Sequence, residues 1–525
     1  MKRRDFLAGT APLLAAGVVV NGRAVRAMAN PRGWWGRVLS VQPNDRVLVV
    51  IQLEGGNDGL NMVVPIEDDA YYTMRPGIGV AKADAVRLDN TPLLGLNPKA
   101  TGLAAMYNQG TLAIVQNVGY ANNTMSHFAG TEIWNTASGG QQKDLQRTGW
   151  LGRYLHHEYP LYPDQIPSDP PAIEIGAATS AAFTIVGSSI SMSLLNPSEF
   201  YDLVNGGPQV DTGAGGDTPS GHEKAFVDLI DQQSRAYAES IRRAASRANN
   251  IAAYPDGNVL AESLAIVARL IAGGLATRVY KVTLGGFDTH ANQKGYHDTL
   301  LGTMSDAIKA FAGDLKALQV DERVVGMTYS EFGRRVRENA SGGTDHGAAA
   351  PHLVFGTAVN GGTVFGGEPN LVDLDIAEEG GNLRYQVDFH CYYASVLAPW
   401  FGLADDVVRD VLPIGVCDRA DYLNLYRTAG IGSAGDPAAG GRALNVYPSP
   451  ASRSALVTAT LPRAERIGIT LFDDAGHRLR QIAAADAAAG TASFRVDVSG
   501  LPSGNYLVTL DGERGRLVAR LVVMH

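Results

Sequence analysis

The sequence predicts an α/β protein built on a doubly wound, mostly parallel sheet, followed by a small all-β sandwich. Three observations carry this. The valine-rich apolar run Arg46 to Leu53 reads as a strand buried on both faces, and Thr111 to Val118 as another buried strand. The order strand, helix, strand from Arg278 to Thr328 reads as a βαβ unit with parallel strands and a right-handed crossover. After Ala429 helical spacing gives way to alternation.

Taken in order, the N-terminus comes first. Arg3 and Arg4 precede a modest apolar segment, Leu7 to Val20, and Ala27-Met28-Ala29 offers a small-residue cleavage site before Asn30. This pattern looks like a twin-arginine export signal over residues 1–29, which makes the export machinery an expected partner. The apolar stretch is broken by Gly9, Pro12 and Gly17 and is too short for a membrane span; no other segment reaches that length, so a mature chain without a span is expected.

The strand ending at Leu53 runs into Glu54-Gly55-Gly56-Asn57-Asp58, where glycines allow a tight turn. Thr111 to Val118 is followed by a loop and a helix beginning at Ser126-His127-Phe128. Asp169 to Asn196 reads as short strands and loops covering a site, and Gly207 to Ser220 as a linker. Helices are expected over Glu223–Arg247 and Asn258–Ala272, within a helical insertion of about 221–275. A later helix carries Leu301, Met304, Ile308, Phe311, Leu315 and Leu318 on one apolar stripe. The α/β domain is expected over 30–429, a linker over 430–442, and a β-sandwich over 443–525, with strands at 444–447, 454–461, 467–472, 492–498, 504–511 and 517–524.

Composition limits function. The 525 residues suggest roughly three domain-sized units. With 45% hydrophobic and 18% charged residues the chain is globular, and a net charge of -9 without a basic stripe argues against nucleic acid as a partner. Cys391 and Cys417 are the only cysteines; one bridge in an oxidising space and two buried thiols are both open.

Polar groups gather at strand ends, where open α/β sheets carry out chemistry. Asp288 and His290 follow the run Val279 to Leu284, and side chains two apart in an extended segment point the same way. Glu331 ends the next run, and His346 lies in a glycine-rich loop. Together with Asp58 these are the candidate ligands of a divalent metal, with Ser126 as candidate nucleophile. Each has a plainer reading: a helix cap for Ser126, a strand-closing hydrogen bond for Asp288 and His290, an ion pair with Arg334 for Glu331, and a turn around His346. For His127, His156, His157 and His352 a structural or exposed role is the default.

The segments Gly55 to Asn61, Ser126 to Phe128, Thr148 to Arg153, Ala265 to Gln293, Ser330 to Arg334 and Gly343 to Gly347 resemble an uncharacterised family of exported bacterial proteins. That family is grouped with the alkaline phosphatase and sulfatase-like superfamily, and the resemblance covers Arg46 to Gly415. It implies an alkaline phosphatase-like fold and a hydrolase of phosphate or sulfate esters, acting on a small molecule or glycan ester through a serine nucleophile. By motif, Ser126 resembles the nucleophile, and Asp58 (or Glu54), Asp288, His290, Glu331 and His346 resemble ligands of one or two ions. Zn2+ is preferred, with Mg2+, Mn2+ or Ca2+ as alternatives. Phe332 stands where the superfamily has an imidazole. A rival alignment makes Asp345-His346 the Asp-His pair and His352 the last ligand. A non-catalytic envelope or cell-surface binding protein is the alternative reading. The C-terminal module, opening at Asn445 to Pro450 and ending near Leu501 to Leu510, resembles the sorting domains of type IX-secreted proteins. Outer-membrane secretion machinery is then a further expected partner, and the periplasm or cell surface the expected location.

Overall fold

A computed structural model describes residues 17–20, 23–26, 45–139, 146–206 apart from 164 and 187, 234–375, 381–427 apart from 414–416 and 418, and 443–523 apart from 448–450, 452, 462–463, 474–476, 488–489 and 513–514. The chain divides into two compact units, Met1–Asp45 and Arg46–His525. In the first, Gly17–Val20 pairs antiparallel with Arg23–Arg26. The rest of the export-signal reading falls outside the described residues, as do the linkers expected at 207–220 and 430–442.

The second unit is built on a nine-stranded sheet. Its strands are β1 (Val47–Leu53), β2 (Leu112–Gly119), β3 (Ala172–Ile175), β4 (Ser191–Leu194), β5 (Val279–Leu284), β6 (Val324–Tyr329), β7 (Ala350–Phe355), β8 (Val364–Phe365) and β9 (Val387–Asp388). The order is β4-β3-β5-β1-β6-β7-β2-β8, with β9 also paired to β2. Every pairing is parallel except the two made by β7. β5 and β6 are parallel as expected, but they flank β1 instead of pairing with each other. Ala172–Ile175 and Ser191–Leu194, expected as cover over a site, extend this sheet, with Ser191–Leu194 as its edge strand.

β1 shows why the fold is doubly wound. All seven of its residues are buried, and their alternation splits them between two cores. Val47, Val49, Ile51 and Leu53 pack on one side with helices α1 (Thr101–Asn108), α4 (Val259–Ala272) and α5 (Gln293–Ala317). Leu48 and Val50 face the other core, with α2 (His127–Thr136), α3 (Trp150–Glu158) and α6 (Phe389–Phe401). The stripe expected on α5 is real: Leu301, Met304, Ile308, Phe311 and Leu315 are buried together. Of the helix expected at 223–247, residues 234–247 are described and helical. Cys391 of α6 is bridged to Cys417, which settles the cysteine question left open by the sequence.

The second core holds a titration-sensitive group. His352, on β7, is wholly buried between the rings of Trp134 and Tyr392, and neither ring nitrogen has a hydrogen-bond partner. Burial pushes its pKa down from 6.5 to about 3. The unfolded chain therefore takes up a proton that the folded chain refuses, so this contribution is complete above about pH 6.5 and is lost as pH falls toward 3. Unfolding His352→Phe in urea should show its stability loss between about pH 7 and pH 5 to be smaller than that of the parent by about 2 kcal/mol. Equal losses would show that His352 is not held neutral. The same burial excludes His352 from the site of the rival alignment.

The C-terminal strands are β10 (Ala443–Tyr447), β11 (Ser454–Leu461), β12 (Glu465–Asp473), β13 (Arg478–Ala487), β14 (Gly490–Asp497), β15 (Gly504–Gly512) and β16 (Gly515–Val523). They form an antiparallel sheet β10-β11-β14 and another β13-β12-β15-β16, around a core that includes Val457, Ile469, Val508 and Leu521. β13 escaped the sequence reading because its alanine-rich run has Ile482 as its one β-branched residue; its full-length pairing with β12 makes it a strand. Among the described residues, no helix is long and apolar enough to cross a membrane.

Candidate metal centre

The C-terminal ends of the three adjacent strands β5, β1 and β6 deliver one site. Gly55, with φ +116°, brings the loop after β1 so close to the loop after β5 that a Cβ there would lie 2.4 Å from the Asp288 backbone nitrogen. Arg334 then ties the loops together from beneath. It is 2% exposed and donates to the carbonyls of Gly55, Gly56, Phe287 and Thr344, and to Asp288 Oδ1 at 2.7 Å. The pairing of Arg334 with Glu331 weighed from the sequence is therefore not what forms; Arg334 pairs with Asp288.

Asp288 is the hub. Its Oδ1 lies 3.1 Å from His290 Nε2 and 3.3 Å from His346 Nε2, and its Oδ2 lies 3.4 Å from His127 Nε2. Burial raises the Asp288 pKa, but the hydrogen bond and charge of Arg334, with His346 and His290, pull it down to about 2. It is a carboxylate throughout the physiological range.

Each imidazole is anchored through its other nitrogen. His346 Nδ1 is 2.7 Å from the Met125 carbonyl, which can only accept, so Nδ1 carries the proton. His290 Nδ1 is 3.2 Å from Asp345 Oδ1, and His127 Nδ1 is 2.8 Å from Glu331 Oε1. In the neutral rings this leaves three Nε2 lone pairs facing inward. Two of them, on His290 and His346, are 2.9 Å apart, and the third is buried with no hydrogen-bond partner. Facing lone pairs repel unless a cation sits between them. Burial also holds His346 below its ordinary pKa despite the Met125 carbonyl, which favours the unprotonated ring that a metal needs. Imidazoles oriented by a carbonyl or carboxylate around one ionised carboxylate are a donor set suited to a borderline divalent ion such as Zn2+. One ligand atom each from His127, Asp288 and His346 falls within 4.8 Å of the other two.

The sequence-derived candidates thus divide. Asp288, His290 and His346 come together. Glu331 is wholly buried and accepts from the Gly55 N–H at 2.9 Å as well as from His127, so it orients an imidazole. Asp58 does not join the group. It is buried against Arg75 at 2.6 Å and also accepts from Gln293. Burial opposes its ionisation, and Arg75, His297 and Gln293 more than offset this, so its pKa is lowered. Ser126 is exposed and caps α2, its hydroxyl accepting from the Ala129 N–H at 3.5 Å; none of its described contacts is to Asp288 or the three imidazoles. His127, set aside in the sequence as structural, was the missed member. Its only local signal was its place one residue after a cap, at the first turn of a helix that follows a buried strand.

Beside the cluster lies a cavity of about 570 Å³, lined among others by Gly55, His127, Phe128, Glu132, Asp288 and Glu331. Phe332 packs on the rings of His127 and His346, at centroid distances of 4.9 and 4.6 Å.

Residues 222–408 match the family described as a protein of unknown function, DUF1501, and residues 445–524 match the secretion system C-terminal sorting domain. This chain carries a DUF1501 segment and a C-terminal sorting domain. No curated protein matches it. Among solved structures, it is similar to latent PorU from Porphyromonas gingivalis over 15% of this chain and 9% of that one, with 12% identity and a TM-score of 0.14. It is similar to the PsFucS1 sulfatase from Pseudoalteromonas sp. over 88% and 86% of the two chains, with 12% identity and a TM-score of 0.32. It is also similar to the alkaline phosphatase from the Antarctic bacterium TAB5 over 62% and 95%, with 11% identity and a TM-score of 0.26. The chain spans less than a tenth of the PorU chain.

Proposed function

We propose that the α/β unit that contains the DUF1501 segment forms an exported, metal-dependent hydrolase of phosphate or sulfate esters, centred on Asp288 and the three imidazoles. The observation that carries this is the inward convergence of three Nε2 atoms on one carboxylate, each ring held by a hydrogen bond at its far nitrogen. A divalent ion held by these groups would supply a Lewis acid for a phosphoryl or sulfuryl oxygen. The protein's own part is to fix the rings through Glu331, Asp345 and Met125, to keep Asp288 ionised through Arg334, and to offer the adjoining cavity to the ester. In this reading Ser126, at the helix start beside His127, is the candidate nucleophile, favoured by the amide groups of the first turn of α2. The sorting domain supports delivery outside the cytoplasm through secretion machinery.

The test is metal analysis of protein purified without chelator, followed by a screen of aryl phosphates and sulfates. One ion per chain and turnover that disappears with chelator and returns with Zn2+ are expected. Metal-free protein that hydrolyses neither class would leave a non-catalytic binding protein. Glu331→Gln should weaken metal binding roughly 10–100-fold, because the amide holds His127 less firmly than the carboxylate does. Titration against a chromogenic chelator reads this directly, and unchanged affinity would remove His127 from the ligand set. In the same preparations Ser126→Ala is expected to keep its metal and lose turnover; retained turnover would rule out the serine.

A further inference from the structure

The face of α2 that looks into the cavity is chemically distinctive. Phe128, Thr131, Glu132 and Asn135 recur at helical spacing, and all four line it, while Gly130, Ile133 and Trp134 on the opposite face are buried. The helix begins at His127, so the reactive cluster lies at one end of the cavity and Glu132 lies roughly 7–8 Å further along the axis. Phe128 is 91% exposed, a large apolar ring left open beside a polar cluster. Asn135 is 4% exposed, with one end of its amide held 2.7 Å from the Tyr329 hydroxyl and its amide nitrogen without a hydrogen-bond partner among the described residues. Among the described residues, Glu54, on the facing loop, and Glu132 have no ion-pair or side-chain hydrogen-bond partner, and no lysine or arginine lines the cavity.

These features suit a ligand that is negative at the cluster and positive a short distance away. We propose that the substrate is the ester of a short amino alcohol, its quaternary or protonated amine lying against the Phe128 ring and between the carboxylates of Glu132 and Glu54. Desolvated ammonium groups favour aromatic faces with nearby anions, and a wall whose described residues include no lysine or arginine offers no attraction to a second anionic group. The unpaired amide nitrogen of Asn135 supplies a donor for an oxygen of the same ligand. This rests on reading the cluster as an ester-hydrolysing centre, but the amine subsite can be tested apart from turnover.

The test uses the full chain loaded with Zn2+, choline as the probe and 3,3-dimethyl-1-butanol as its uncharged isostere, with binding followed by calorimetry or ligand-observed NMR. Choline is expected to bind at least about tenfold more tightly than the isostere. Phe128→Ala and Glu132→Gln, both at exposed positions, should each weaken choline roughly 5–30-fold. The proposal is overturned if choline does not bind, if the isostere binds as well, or if both variants bind choline like the parent. Zinc content of the same samples separates the two ideas: zinc retained without choline binding sinks only the amine subsite, and zinc absent sinks the hydrolase reading whatever choline does.

Discussion

His346→Ala should lower the affinity for a divalent cation by more than about 100-fold and abolish ester turnover. Even groups that merely orient a ligand cost 10–100-fold when removed, and His346 would be a direct donor. Its ring is fixed by Met125, and its Nε2 is 2.9 Å from that of His290. Metal content after dialysis reads the effect. His156→Ala, at an exposed position on α3, should retain the parent's metal content and turnover. If His346→Ala holds its ion as tightly as the parent does, the cluster is a hydrogen-bonded group of imidazoles and nothing more.

The second large effect concerns stability. Arg334→Met should destabilise the chain by about 3–5 kcal/mol, measured by denaturant unfolding near pH 7. The substitution leaves a buried group of carbonyls, on Gly55, Gly56, Phe287 and Thr344, without their shared donor, and Asp288 without its cation. The half-exposed Asp288 contributes the smaller part, because water can replace some of its lost partner. Its sign is nonetheless clear. The Asp288 pKa is depressed in the folded chain, so the pairing stabilises above the ordinary carboxylate pKa and fades as pH falls toward about 2. A loss under about 1 kcal/mol would mean that the three loops hold their places without the guanidinium.

Much of the fold was legible because burial on both faces leaves a local trace. β1 and β2 read directly as strands from mostly apolar runs, and α5 from its stripe. β3 and β4 were misplaced because four-residue strands among serines carry no period; only their parallel pairing with neighbours far along the chain defines them. In the site, Asp288, His290 and His346 stood out because glycine-punctuated strand ends expose side chains. The remaining roles depend on partners remote in sequence. Arg75 satisfies Asp58, Glu331 grips His127 across 204 residues, and Arg334 reaches a loop 279 residues away. No local pattern encodes those pairings, so Asp58 and Glu331 read as ligands, His127 as a structural or exposed histidine, and Arg334 as a partner of Glu331.

The central claim is that Asp288, His127, His290 and His346 close around one cation. Anomalous scattering at the zinc edge, from crystals of protein purified without chelator and supplied with Zn2+, tests it most directly. One peak is expected between Asp288 and the imidazole Nε2 atoms, with metal–nitrogen distances of about 2.0–2.1 Å. A cluster without a peak, or an ion held elsewhere while the imidazoles bond only to one another and to water, would contradict it.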